Sequence, residues 1–103
     1  MRLALIGFLA LASIQTAIAC EPLRDDTGRI VRSSWSRVQF RAATPCPLTG
    51  ETIGACPGFV VDHVIPLCAC GPDYAHNMQW QTKEDARAKD KLERKQCREL
   101  EKS

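Results

Sequence analysis

The chain has 103 residues, six of them cysteine, and a formal net charge of +2. That length is enough for one small domain, whose core is marginal without covalent staples. The overall charge is too small to signal a polyanion by itself, and no apolar run is long enough and suitably flanked to cross a membrane.

Residues 1–19 read as a secretory signal peptide. Met1-Arg2 is a short positive start, Leu3 to Ala12 an apolar run, and Ala17-Ile18-Ala19 a small-x-small cleavage site. The expected location is therefore outside the cytoplasm, in the periplasm or secreted. Cleavage after Ala19 leaves Cys20 first. A lipid anchor at Cys20 is the lesser alternative, because a lipobox prefers a larger aliphatic residue where Ala17 stands.

Residues 20–45 form an Arg-rich N-terminal arm and helix. Glu21 to Gly28 is an exposed lead-in, and Arg29 to Ser33 a short strand or extended arm. A helix is expected from Ser33 or Ser34, with a Ser cap and Trp35, Val38, Phe40 and Ala42 in loose helical spacing, ending before Thr44-Pro45. Trp35 and Phe40 are assigned to the core. Cys46 to Gly50 and Gly54 to Gly58 are turn-rich and bracket a tight loop. Phe59 to Val64 is the strongest strand signal, β-branched and bounded by Pro57-Gly58 and Pro66. A loop follows over Cys68 to His76, then a short extended entry over Met78 to Gln81. The last element is a helix from about Thr82 to Leu100, opened by Thr82 with Asp85 three residues on.

An exported chain with an even cysteine count reads as a disulfide framework. Cys46 and Cys56 are the first pair, closing the turn-rich loop. Cys97 is expected to tie the final helix to Cys68 or Cys70, with Cys20 taking the one that remains. Zinc is disfavoured: no Cys-x-x-Cys occurs, and the spacings present fit tetrahedral thiolate binding poorly.

Charge is segregated along the chain. Residues 20–45 carry five Arg against three acidic groups, residues 46–81 hold three acidic groups and no Lys or Arg, and residues 82–103 carry eight basic and six acidic groups. An acidic centre between basic flanks suits a cation site facing a polyanion.

The acidic centre contains Asp62-His63 at the end of the apolar strand. Hydrolysis of a phosphodiester needs a base for water, a cation for the developing negative charge, and positioning. His63 takes a proton near neutral pH, and Asp62 is a hard oxygen ligand suited to Mg²⁺ or Mn²⁺. Neighbours on a strand point to opposite faces, so the two share a site only where the strand ends or twists, and Pro66 favours such a break. Asn77 is a neutral hydrogen bonder placed to orient the imidazole through its second ring nitrogen. His76 reads as a loop residue, and Tyr74 and Trp80 as packing.

The text from Cys46 to Gly50, Gly54 to Leu67, and Asn77-Met78-Gln79-Trp80-Gln81-Thr82 to Ala88-Lys89-Asp90 resembles the HNH nuclease family. The pattern D-H-x-x-P-L…N-x-Q-W-Q-T is specific, and the match covers about half of residues 20–103. The resemblance implies an α+β fold with a ββα-metal core in residues 46–103: a two-stranded hairpin, a metal and a helix. It implies His63 as general base, Asp62 as ligand of the divalent ion and Asn77 as the residue holding the catalytic loop. There is one departure. The family's second ligand is usually a His on the closing helix, and here no His follows His76. Asp85 is the expected substitute, with Glu84 next; oxygen ligands favour Mg²⁺ or Mn²⁺.

Arg29, Arg32, Arg37 and Arg41 recur at intervals of three to five. Arg32, Arg37 and Arg41, with Lys89 on the closing helix, are the candidate nucleic-acid contacts, since guanidinium forks bind phosphate oxygens in pairs; a solvated helix face is the alternative. The expectation is thus an exported, metal-dependent HNH endonuclease acting on nucleic acid, DNA before RNA, with low sequence specificity. The alternative is a disulfide-stapled module that keeps the fold, has lost the metal site, and binds nucleic acid or protein without cutting.

Overall fold

The computed structural model describes residues 20–101, so the expected signal peptide lies outside the described residues. The elements in order are α1 (Ser34–Ala43), β1 (Phe59–His63), β2 (Met78–Thr82) and α2 (Lys83–Glu101). The two strands form one antiparallel pair, and three disulfides cross-link the chain. The fold is a small α+β arrangement, as expected, and each expected element is present within a residue or two. No described helix is long and apolar enough to cross a membrane.

The lead-in is folded back by a turn at Asp25, whose Oδ1 accepts from the Thr27 amide, the Thr27 hydroxyl and the Arg29 amide. Arg29 to Ser33 forms no regular strand and bridges to the lead-in at Ile30, opposite Arg24. Helix α1 buries a narrow stripe, Ser36 and Phe40, four residues apart and so on one face. Trp35 departs from expectation. It is 64% exposed, because the Ser36–Phe40 stripe sets the inward face and the preceding position is rotated away from it. The helix closes where the Thr44 amide donates to the Phe40 carbonyl (2.8 Å) before Pro45.

Strand β1 follows Pro57-Gly58 and holds β-branched Val60 and Val61, which suit a pleated, half-buried surface. Its partners are Phe59 to Thr82, Val61 to Trp80, Asp62 to Gln79 and His63 to Met78. Trp80 packs against Phe40 (ring centroids 5.8 Å) and donates its indole N–H to the Thr44 carbonyl (2.7 Å), which fastens α1 to the hairpin. Strand β2 runs directly into α2, where Thr82 Oγ1 accepts from the Asp85 amide (3.1 Å), the expected N-terminal cap.

Among the described residues the buried apolar side chains are Phe40, Cys46, Leu67, Met78 and Cys97, a small core that includes two disulfide cysteines. The pairs are Cys46–Cys56, Cys68–Cys97 and Cys20–Cys70. The first closes the turn-rich loop, the second resolves the alternative left open for Cys97, and the third ties down the lead-in. The Cys20 sulfur, which a lipid anchor would use, is paired here with Cys70.

Candidate functional site

Asp62 and His63 are the last two residues of β1, and the strand ends there, as a shared site requires. Beyond them residues 64–77 form a long connection containing two short 3-10 turns, Leu67–Ala69 and Ala75–Asn77. Asn77 organises that connection. Its Oδ1 accepts from the Ile65 amide (3.0 Å), while Nδ2 donates to the carbonyls of Ile65 and Pro72 (2.9 Å each). Asn77 is buried, so all three bonds are made away from competing water. Gly71 lies against the same backbone: a Cβ there would sit 1.9 Å from the Ile65 carbonyl oxygen. Asn77 therefore holds the loop, and its side-chain hydrogen bonds go to backbone groups and not to the imidazole.

The residue that orients the imidazole is Asp73. Its Oδ1 lies 2.9 Å from His63 Nε2, and its second oxygen accepts the Ser33 amide at the head of α1. Ser36 Oγ donates to the Asp73 carbonyl (2.6 Å), so the α1 N-terminus and this loop position each other. Partial burial pushes the Asp73 carboxyl up. The Ser33 amide, the His63 ring and the charge of Arg32 outweigh that and hold it below the ordinary aspartate value. A carboxylate accepting at Nε2 sets the tautomer of neutral His63, with the proton on Nε2 and the lone pair on Nδ1.

Asp62 Oδ2 accepts from Gln79 Nε2 across the hairpin (3.3 Å) and from the Lys89 ammonium (2.8 Å). Lys89 also donates to the His63 carbonyl (2.7 Å) and pairs with Glu93 one helical turn on. Burial pulls the Lys89 ammonium down in pKa. Its hydrogen bonds to Asp62 and Glu93 and their charges more than reverse this, so it stays above the ordinary lysine range.

The carboxylates grouped with Asp62 are Asp90 and Glu93, with ligand oxygens all within 4.8 Å of one another. Asp85 and Glu84 are exposed in the first turn of α2, where negative charge complements the helix dipole. They are absent from this group because Ala86, not Asp85, lies on the helix stripe facing β1, and that stripe continues through Asp90 and Glu93. The donor set is all oxygen and suits a hard divalent ion such as Mg²⁺ or Mn²⁺.

These groups line an open cleft of about 360 Å³ between the strand end and α2. Arg32, Arg37 and Arg94 line it as well, bringing arm, helix α1 and helix α2 to one place. Arg41 is directed elsewhere: its guanidinium lies 5.2 Å from the Trp80 ring centre and donates to the Gly54 carbonyl (2.7 Å). Lys89 is engaged by carboxylates rather than turned out toward a phosphate. His76 is exposed and stacks on Tyr74, as a loop residue would.

Sequence reasoning missed Asp73, Asp90, Glu93 and Arg94. The three on α2 were accessible from helical spacing alone, at four, seven and eight residues beyond Ala86. Asp73 carried no local signal, because its approach to His63 depends on the path of a 14-residue connection. No family model, no curated protein and no solved structure matches this chain, so the site is read from its own residues.

Proposed function

We propose that the chain is an exported endonuclease of HNH type that hydrolyses phosphodiester bonds with a divalent ion, on DNA in preference to RNA and with little base specificity. The observation that carries this reading is the juxtaposition in one cleft of an Asp-held histidine, a carboxylate group and three arginines.

The chain's own groups have distinct tasks. His63 Nδ1 accepts the proton of the attacking water as its oxygen bonds to phosphorus and the bond from phosphorus to the leaving oxygen breaks. The Asp73 carboxylate keeps the ring in place and offsets the positive charge that forms on it. Arg32, Arg37 and Arg94 hold phosphate oxygens on either side of the scissile bond, which positions the backbone without reading bases. Asn77 keeps the connection between the strands in shape, so that Asp73 stays opposite His63. A divalent ion held by Asp62 with Asp90 and Glu93 would neutralise charge on the phosphoryl and leaving oxygens.

A second reading is a binding module on the same fold that does not cut. The observation favouring it is that Lys89 already neutralises Asp62 and Glu93. One experiment separates the two. The oxidised protein is incubated with supercoiled plasmid and Mg²⁺ or Mn²⁺, with EDTA and His63→Ala as controls. Nicking that needs both the ion and His63 is the expected result; folded protein that binds plasmid but leaves it intact under every condition supports the module instead.

A further inference from the structure

We infer that Lys89 is the tethered counter-ion of this cleft: its ammonium occupies the oxygen cradle of Asp62, the His63 carbonyl and Glu93, and a divalent ion enters only by displacing it. The inference rests on the reading of the cleft as a cation site and adds what controls its occupancy.

An ammonium has three N–H donors and no acceptor. Lys89 directs its nitrogen at three oxygen acceptors from two parts of the chain: Asp62 Oδ2 at 2.8 Å and the His63 carbonyl at 2.7 Å at the end of β1, and Glu93 Oε1 on its own helix. Two of the three carboxylates in the acidic group are thus already paired with a positive charge supplied by the protein. The Lys89 and Glu93 side chains are only 22% and 14% exposed, so this pairing is sheltered from the screening that weakens surface pairs.

A divalent ion would draw on the same oxygen lone pairs. Bound to Asp62 or Glu93, it would lie within a few ångströms of the ammonium, and two cations at that separation repel strongly in a partly desolvated cleft. Entry of the ion therefore requires the ammonium to leave. Lysine suits such a role better than arginine, because its charge is a compact point on a flexible four-carbon stem that can swing away without breaking a helical bond. Once released, the ammonium remains anchored beside the cleft, where phosphate oxygens are its natural acceptors. Lys89 then serves two states: it neutralises the carboxylates when no ion is bound, and it assists the arginines when one is.

The test is Mn²⁺ binding by the exported, oxidised protein, followed by the electron paramagnetic resonance signal of free Mn²⁺. Wild type is compared with Lys89→Met and with Lys89→Gln, which keeps a hydrogen-bond donor should the methionine disturb folding. Both variants are expected to bind Mn²⁺ about tenfold tighter or more, the direction that removal of a competing charge dictates. Adding Asp62→Asn to either should abolish the gain. Equal or weaker binding by both Lys89 variants overturns the inference, as does a gain that survives Asp62→Asn. Plasmid nicking by wild type is scored separately. Tighter Mn²⁺ binding by the Lys89 variants without any nicking by wild type leaves the counter-ion in place and removes the nuclease reading. Nicking with unchanged Mn²⁺ affinity does the reverse.

Discussion

A histidine that donates one ring N–H to a carboxylate keeps its other nitrogen available for a water, and the carboxylate becomes more useful as the ring gains charge. Asp73 stands in that relation to His63 at 2.9 Å. Replacing Asp73 with Asn preserves shape but offers no negative charge and a different hydrogen-bond pattern. We expect Asp73→Asn to lower kcat on the order of 10- to 100-fold with KM little changed, since the loss falls on proton transfer and not on phosphate contacts. A parallel rise in KM would point to a structural role for Asp73 instead. The same carboxylate predicts a pH dependence of stability. Its folded pKa lies below the ordinary value of 3.8, so its ionised form is favoured by folding. That contribution is complete above the unfolded value and disappears as pH falls through the folded one. Denaturant titrations should therefore show wild type more stable than Asp73→Asn at pH 6, with the gap narrowing at pH 3 and below.

At the level of elements, the connection between β1 and β2 decides whether the site exists. Asn77 satisfies three backbone groups of that connection from one buried side chain. Truncation to alanine leaves an amide and two carbonyls without partners, and a cost of about 2–4 kcal/mol is expected from the usual penalty for unpaired buried groups. Equilibrium unfolding measures it; a change below about 0.5 kcal/mol would mean that water replaces the amide readily. The hairpin, both helices and the Thr82 cap of α2 were legible because each depends on nearby residues: β-branched Val60 and Val61, Pro57-Gly58, Thr82 before the charged helix. The Ser cap expected for α1 is not made, since Ser33 at that position forms no side-chain capping hydrogen bond. The site was legible only in part. Asp62 and His63 follow from strand end and chemistry, whereas the rotation of α2 that brings Asp90 and Glu93 to them, and excludes Asp85, is set by packing against the hairpin. Arg41 illustrates the same limit. Its spacing matched Arg32 and Arg37, but the Trp80 ring on the neighbouring strand took its guanidinium.

On the scale of the whole molecule, the five buried apolar side chains among the described residues are too few to hold two helices and a hairpin together by hydrophobic burial alone. The disulfides compensate, and one of them does so at the cleft. Cys68 lies on the connection beside His63 and is bonded to Cys97 near the end of α2, so this bridge clamps the helix that carries Lys89, Asp90 and Glu93 to the wall that carries His63. Its sequence separation is 29, against 10 for Cys46–Cys56, and closing a longer loop restricts the unfolded chain more. We expect the paired substitution Cys68→Ser with Cys97→Ser to cost about 2–4 kcal/mol in unfolding free energy, and the Cys46/Cys56 pair to cost less. The two pairs should also differ in function. Loss of Cys68–Cys97 frees α2 from the loop and should abolish nicking even at low temperature, where the protein is still folded by circular dichroism. Loss of Cys46–Cys56 leaves both walls of the cleft connected and should spare activity under the same conditions. Equal losses of activity in the two pairs, at matched stability, would show that the disulfides act through global stability alone and that the clamp across the cleft has no separate role.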